Sequence, residues 1–435
     1  TQPLSETKSA CMNIPDRQAS HVEEGNQTYK TVTVKEEMEE ALLPHFQQHF
    51  RQAEKTPFNQ EPLKSLFGYT GETEFCDKFR KGEADIDGLN VDDDVKTFLH
   101  QLERKTTNPP SIPATLTPAQ LIKGFKIWPE RTSTSPEGRH LGLYKSWIFN
   151  KKTAQPADEM PSSTFFSILL KIIHVAIAAS LPLRRWTTVH NIFIRKEPGN
   201  MKIGRLRVIH KLDAELNLLR REFVTRRVMK NMESTKPSQM NNTAEEMDEG
   251  HRRSTAKIFT LGILHLKRCN GAIIDCDAKA CYDRILAVLL ALVYFKAGLA
   301  LTVCTLFARA LKQMKFYMVT AFGVSEDYNQ HSEETPSYGI GQGATDGPPG
   351  WTGISNIIIK SHNTKAHGST LEDPARNIQA KRSADMFVDD ASLTVNDRDP
   401  RTSAETIMEK TQNEILSWNK ILLISRGPLE LTKTK

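Results

Sequence analysis

Cysteine is scarce in this chain: six among 435 residues, namely Cys11, Cys76, Cys269, Cys276, Cys281 and Cys304. That is too few for a disulfide scaffold. No two are spaced C-x-x-C, which argues against a structural zinc site. A reducing, intracellular compartment, cytoplasmic or nuclear, is the expected home. Long apolar runs are also missing. The most apolar stretch, Phe165 to Leu181, is interrupted by Lys171 and His174, so it reads as a buried helix and no membrane partner is expected. No signal peptide is visible, and the chain opens T-Q-P-L-S-E without Met, as a fragment or a processed protein would. Neither sign of charge dominates: 58 Lys and Arg stand against 52 Asp and Glu.

What is present is enough for packed cores. Apolar residues make up 38% and charged residues 25%, outside the composition of a disordered chain, and the length allows roughly two to four domains. The positive charge is concentrated. Residues 181–231 hold 13 Lys and Arg against four Asp and Glu, leaving the remainder of the chain net negative. A polyanion is therefore a plausible partner for that segment.

Residues 1–120 read as a polar extension: a loose arm with one helix near 34–55, then short helices and acidic or Pro-rich loops. Asp85, Asp87 and Asp92 to Asp94 imitate a calcium loop, but the glycine is misplaced for an EF-hand and the twelfth position lacks Glu, so a solvated acidic loop is expected. Thr117 is the expected N-cap of a helix over 118–127. Residues 121–268 carry helices at 143–150 and 163–180. Alternating strands at 188–196 and 205–210 then flank the turn Glu197-Pro198-Gly199-Asn200. Helices at 213–233 and 254–268 close that segment. From 269 to 435 the order is strand 270–277, helices 283–298 and 300–314, strand 315–324, and helix 351–362. Strands 383–388 and 391–396 and helix 401–423 complete it. The fold class expected is α+β, with helices on one face of an antiparallel sheet.

Two strand-like segments end in carboxylates, at Asp275/Asp277 and at Asp389/Asp390, with Asp277 and Asp389 lying 112 positions apart. Converging carboxylates repel unless solvated or metal-bound. They suit hard divalent cations, and two such ions can hold both oxygens of a phosphoryl displacement.

Three blocks follow in order: I-D-C-D-A-K-A-C-Y-D-R-I, G-I-G-Q-G-A-T-D-G-P-P and M-F-V-D-D-A-S-L. Together they resemble motifs A, B and C of the reverse transcriptase palm. Asp277, Tyr282 and Asp283 match the first, Gln342, Gly343 and Pro348 the second, and Phe387, Asp389 and Asp390 the third. The loop Ser135–Gly142 resembles the S-P-G-P-D-G element of non-LTR retroelement polymerases, Gly250–Ser254 their G-x-R-x-G-R-S block, and Ser425–Lys433 the end of motif D. In motif B, Gly347 replaces the usual Ser, and Asp346 adds a charge expected near the template side.

The resemblance implies a right-hand polymerase with fingers over 121–268 and palm over 269–435, and a chain that stops before the thumb. It implies RNA-directed DNA polymerase activity with an RNA template, a DNA primer, dNTPs and two Mg²⁺ ions, for which Mn²⁺ can substitute. Asp277, Asp389 and Asp390 are the implied metal ligands, although Asp390 could instead shape the hairpin. Asp275 shares the strand face of Asp277 and either assists the ions or is simply exposed. Asp283 is expected to favour a helix dipole. Tyr282 is the implied gate against a 2′-OH, or else a core tyrosine. Lys196 and Arg207 would clamp the triphosphate, or form a solvated basic face. Gln342 could bond nucleotide or template, and Gly343 would admit backbone close to the nascent base pair. Lys433 is the candidate general acid. Cys276 and Cys281 read as small packing residues. The alternative function is a catalytically inactive, retroelement-derived RNA-binding protein. The sequence leaves the oligomeric state open.

Overall fold

The computed structural model describes residues 11–15, 29–104, 111–129, 135–148, 161–235, 262, 268, 270–278, 281–373, 378–387, 390–397, 399–425, 429 and 434. In chain order the strands are β1 (Met12–Pro15), β2 (Tyr29–Val32), β3 (Thr188–Arg195), β4 (Leu206–Lys211), β5 (Gly271–Asp277), β6 (Lys315–Thr320), β7 (Gly323–Gln330), β8 (Ser369–Asp373), β9 (Ile378–Arg382), β10 (Ala384–Phe387) and β11 (Asp390–Asn396). The helices are α1 (Lys35–Phe50), α2 (Leu63–Phe67), α3 (Glu74–Lys81), α4 (Asp93–Leu102), α5 (Pro118–Ile127), α6 (Leu141–Ile148), α7 (Pro161–Ala178), α8 (Ala214–Arg220), α9 (Met229–Thr235), α10 (Ala287–Lys296), α11 (Leu301–Gln313), α12 (Gly347–Asn363) and α13 (Ala404–Ser425). The architecture is α+β. The chain divides into two compact units, each built from three separated segments: Thr1–Gln52, Pro113–Phe223 and Leu301–Gly347 in the first, the rest in the second.

The first unit is organised by a four-stranded sheet in the order β4-β3-β6-β7. Strands β3 and β4 form the expected antiparallel hairpin, with Ile194 opposite Arg207. The sheet is not wholly antiparallel, because β3 runs parallel to β6. The expected single strand at 315–324 is in fact the first arm of a β6–β7 hairpin. The second arm is polar because half of it faces outward, while Ser325 and Asn329 turn in and are buried. Along β3, Val189, Asn191 and Phe193 are buried and alternate with more exposed residues, the period of a half-covered strand.

α1 covers the inner face. Its buried residues Met38, Leu42, Phe46 and Phe50 recur every fourth position, one stripe of a helix. Met12, Val32, Met38 and Leu42 share a core with Phe193, Ile203, Leu206 and Met318. The expectation of a loose N-terminal arm is therefore corrected for the described residues. The stripe is narrow and diluted by Glu and Gln, which hid it. Thr117 caps α5 in a full capping box with Gln120, as expected.

A buried polar network joins the Ser135–Gly142 loop to the start of α8. Asp213 caps that helix by accepting from the backbone N–H groups of Glu215 and Leu216. It also accepts from Ser135 Oγ at 3.2 Å and Arg139 Nη2 at 3.1 Å. Glu215 accepts from Tyr144 Oη at 2.8 Å, Trp186 Nε1 at 3.0 Å and Arg185 Nε at 2.9 Å, and its side chain is 2% exposed. Burial, then the charge of Glu215, pushes the Asp213 carboxyl up to about 6.

The second unit contains the antiparallel sheet β10-β11-β5. α13 places Trp418, Ile421 and Leu422 in the core, as the sequence pattern expects. α10 is buried along nearly its whole length and lies close against α12. A Cβ at Gly350 would stand 2.6 Å from Leu290 Cδ2, so glycine there sets the helix separation. Between α12 and α13, His362 Nε2 and Glu414 Oε1 are 3.0 Å apart with both side chains essentially inaccessible. The acidic loop resolves into local bonds: Gly88 N–H donates to Asp85 and Asp94 N–H to Asp92. The β8–β9 hairpin has no counterpart in the sequence reading. The helix expected at 254–268 lies outside the described residues apart from Gly262 and Arg268.

Removing the hub of the polar network leaves buried donors without a partner. Glu215→Ala is expected to lower unfolding stability by about 3–5 kcal/mol, measured by urea denaturation followed by circular dichroism; a loss within experimental error contradicts this. For Asp213 the folded value lies above the ordinary 3.8, so the folded state binds more protons than the unfolded chain between the two values. Its stabilising contribution is complete below 3.8 and lost as pH rises through about 6. Asp213→Asn should therefore flatten the decline in stability across that window, and an unchanged slope contradicts the assignment.

Candidate functional site

In the second unit, β5 and β11 pair antiparallel with Asp277 directly opposite Asp390 and Asp275 opposite Ser392. Residues two apart on a strand share a face, so these four lie on one face. Ile274 opposite Leu393 and Cys276 opposite Ala391 form the other face, and all four are buried. That apolar face pins the register, since a one-residue slip would bury the carboxylates and expose the core.

Directly opposite residues carry Cβ atoms about 4.5–5.5 Å apart, and like charges there are destabilising. Asp277 is half-buried and Asp390 exposed. Ser392 Oγ donates to Asp275 Oδ1 at 2.6 Å. Burial, then the charge of Asp275, raises the Cys276 thiol to about 12, which keeps it protonated and unreactive.

Asp389 lies outside the described residues, as do Lys433 and the Gly250–Ser254 block. Tyr282 stands in the single helical turn Tyr282–Arg284, half-buried. Asp283 does not open the following helix. It is buried in that turn, and α10 starts at Ala287, because Ile285 and Leu286 leave helical geometry first. Leu429 forms an antiparallel bridge to Ala278, the residue after Asp277.

In the first unit, Lys196 and Arg207 are both exposed on the β3–β4 hairpin. Arg207 is opposite Ile194, and Lys196 is two residues further along, so they share a face. The same face continues across the sheet, since His190 aligns with Tyr317 and Tyr317 with Tyr328. The tyrosine rings are 5.2 Å apart, and Lys315 Nζ sits 4.7 Å from the Tyr328 ring. The sequence reading missed these aromatics. Neither stands in an alternating pattern: Tyr317 is flanked by Phe316 and Met318, and Tyr328 lies in a polar run.

The Gly-rich loop rests on the end of β4. His210 N–H donates to the Gln342 carbonyl at 2.6 Å. Asn217 bonds the carbonyl of Gly343 and both the N–H and the hydroxyl of Thr345. Gly343 has φ +121°, and a Cβ there would lie well inside contact distance of the His210 carbonyl oxygen. The close approach that Gly343 permits in the structure is therefore to β4. Asp346 is not an added surface charge: it is buried and paired with buried Arg220 at 3.3 Å. The sequence reading missed Arg220 because its partner is 126 residues away.

Two carboxylates in register are oxygen donors of the type that Mg²⁺ takes, and Asp389 adjoins Asp390 in the chain. Among the described residues no group of three or more His, Cys, Asp or Glu is placed to hold a metal ion. No described helix is long and apolar enough to cross a membrane. Compared with models of known protein families and with curated proteins, the chain has no match.

The backbone strain and contact at Gly343 make a separable prediction. Gly343→Ala should cost at least about 2 kcal/mol of stability, read by chemical denaturation. An alanine variant as stable as wild type but weaker in binding nucleotide contradicts this and returns the glycine to a role at the nucleotide.

Proposed function

We propose that this chain is the fingers-and-palm region of an RNA-directed DNA polymerase of a non-LTR-like retroelement. One observation carries the reading. Two acidic residues from separate blocks, each matching a polymerase motif, stand directly opposite each other across β5 and β11. Opposed carboxylates are hard oxygen donors of the kind that divalent cations take, and that supports the reading.

Asp277, Asp389 and Asp390 are assigned to hold Mg²⁺, with Mn²⁺ as substitute. The bound ions would supply charge stabilisation to the oxygens exchanging at phosphorus. The rest of the work is binding and orientation. Lys196 and Arg207, exposed on one hairpin face, are assigned to the triphosphate of the incoming dNTP. Tyr282 is assigned to exclude a 2′-OH, and Gln342 to bond nucleotide or template. Lys433 is the candidate donor of a proton to the departing pyrophosphate. The open sheet face with Tyr317, Tyr328 and Lys315 has the aromatic and basic character that holds single strands by stacking and charge, and is assigned to unpaired template.

That same face favours one other reading, a catalytically inactive RNA-binding protein of retroelement origin. Primer extension on an RNA template with a DNA primer separates the two. Wild type should extend in Mg²⁺ or Mn²⁺, and Asp277→Asn, Asp389→Asn and Asp390→Asn should each lose at least about 100-fold in rate while retaining hybrid binding. Binding without extension by wild type selects the inactive reading, and extension by Asp277→Asn at the wild-type rate refutes the site.

A further inference from the structure

We propose that Asn419 is a positioning residue for Asp277. The proposal rests on the polymerase reading for what Asp277 does, and on the geometry of the second unit for how it is held.

β5 is an edge strand in the order β10-β11-β5, and Asp277 is its last residue. Asp390 on β11 stands directly opposite it. The outer edge is closed by Leu429, which bridges Ala278; both residues are 4% exposed. Leu429 is in turn held by a side chain, since its N–H donates to Asn419 Oδ1 at 3.0 Å.

Asn419 is well placed for this. It follows Trp418 and precedes Ile421 on α13, each 1% exposed, so the helix beneath it is anchored. One turn earlier, Glu414 accepts from the His367 N–H at 3.0 Å and meets His362, which fixes α13 against the end of α12. A continuous set of contacts thus runs from α13 through Asn419 and Leu429 to Ala278 and the metal-binding carboxylate beside it.

The test uses the full chain with two substitutions. Asn419→Leu removes the acceptor at similar volume, and Asn419→Asp keeps it. Amide hydrogen exchange is measured across both units, and primer extension is titrated with Mg²⁺. For Asn419→Leu, exchange at residues 274–278 should quicken by roughly three- to tenfold with the rest of the second unit unchanged. The Mg²⁺ concentration at half-maximal extension should rise while the KM for dNTP holds. Asn419→Asp should restore both. Exchange unchanged, or quickened evenly over the unit, overturns the proposal, and so does faster exchange with an unaltered Mg²⁺ midpoint. If wild type does not extend at all, the polymerase reading falls. The local exchange of β5 then decides alone whether Asn419 holds this strand end.

Discussion

Asp277 and Asp390 stand directly opposite each other across an antiparallel pair, a placement unfavourable in itself for two like charges, and the apolar face of the same strands fixes the register that holds them there. Ile274 and Leu393, with Cys276 and Ala391, occupy the buried face of the same strands. Shifting β5 by one residue would exchange apolar for charged side chains in the core, at a cost well above that of the repulsion. Ser392 adds a bond to Asp275, and α13 supports the strands from behind with Trp418 and Ile421. The juxtaposition is thus a property of the hydrophobic pattern, with the charges carried on its reverse side.

The first unit solves a different problem, that of holding loops rich in Gly, Ser and Pro in one conformation. It does so with buried charge. Glu215 gathers three donors from two separate parts of the chain, and Arg220 pairs with Asp346 at the end of the Gly-rich loop. Such pairs add little net stability over an apolar core. They do supply direction, since a misplaced loop would leave a buried ion without its partner. The outer sheet face is left to the half-exposed aromatic and basic residues.

Much of the local structure was legible in the sequence. The period-2 alternation of 188–196 and the turn after it gave the basic hairpin. Thr117 gave a helix start, and Asp277 marked the end of a strand. The juxtaposition of Asp277 with Asp390 was expected from motif order, and the register comes from the structure. What escaped was non-local. Met38, Leu42, Phe46 and Phe50 are too thinly spread among Glu and Gln to announce a core helix. Ser325 and Asn329 look like loop residues until β6 is seen beside them. Glu215 and Arg220 have no local pattern that points to their partners, which are 29 to 126 residues away. Asp283, read as the first residue of a helix, sits instead in a separate buried turn.

The central claim is that the opposed Asp277 and Asp390 are held in place for a divalent cation. The most direct measurement is the thermal unfolding of wild type and Asp390→Asn in EDTA and in increasing Mg²⁺. A ligand that binds only the folded state raises its stability by mass action. The account predicts a wild-type midpoint that climbs with Mg²⁺, and an Asp390→Asn variant that is more stable than wild type in EDTA and indifferent to the ion. A wild-type midpoint that ignores Mg²⁺, with Asp390→Asn no more stable in EDTA, would show that these carboxylates neither strain the fold nor bind a cation.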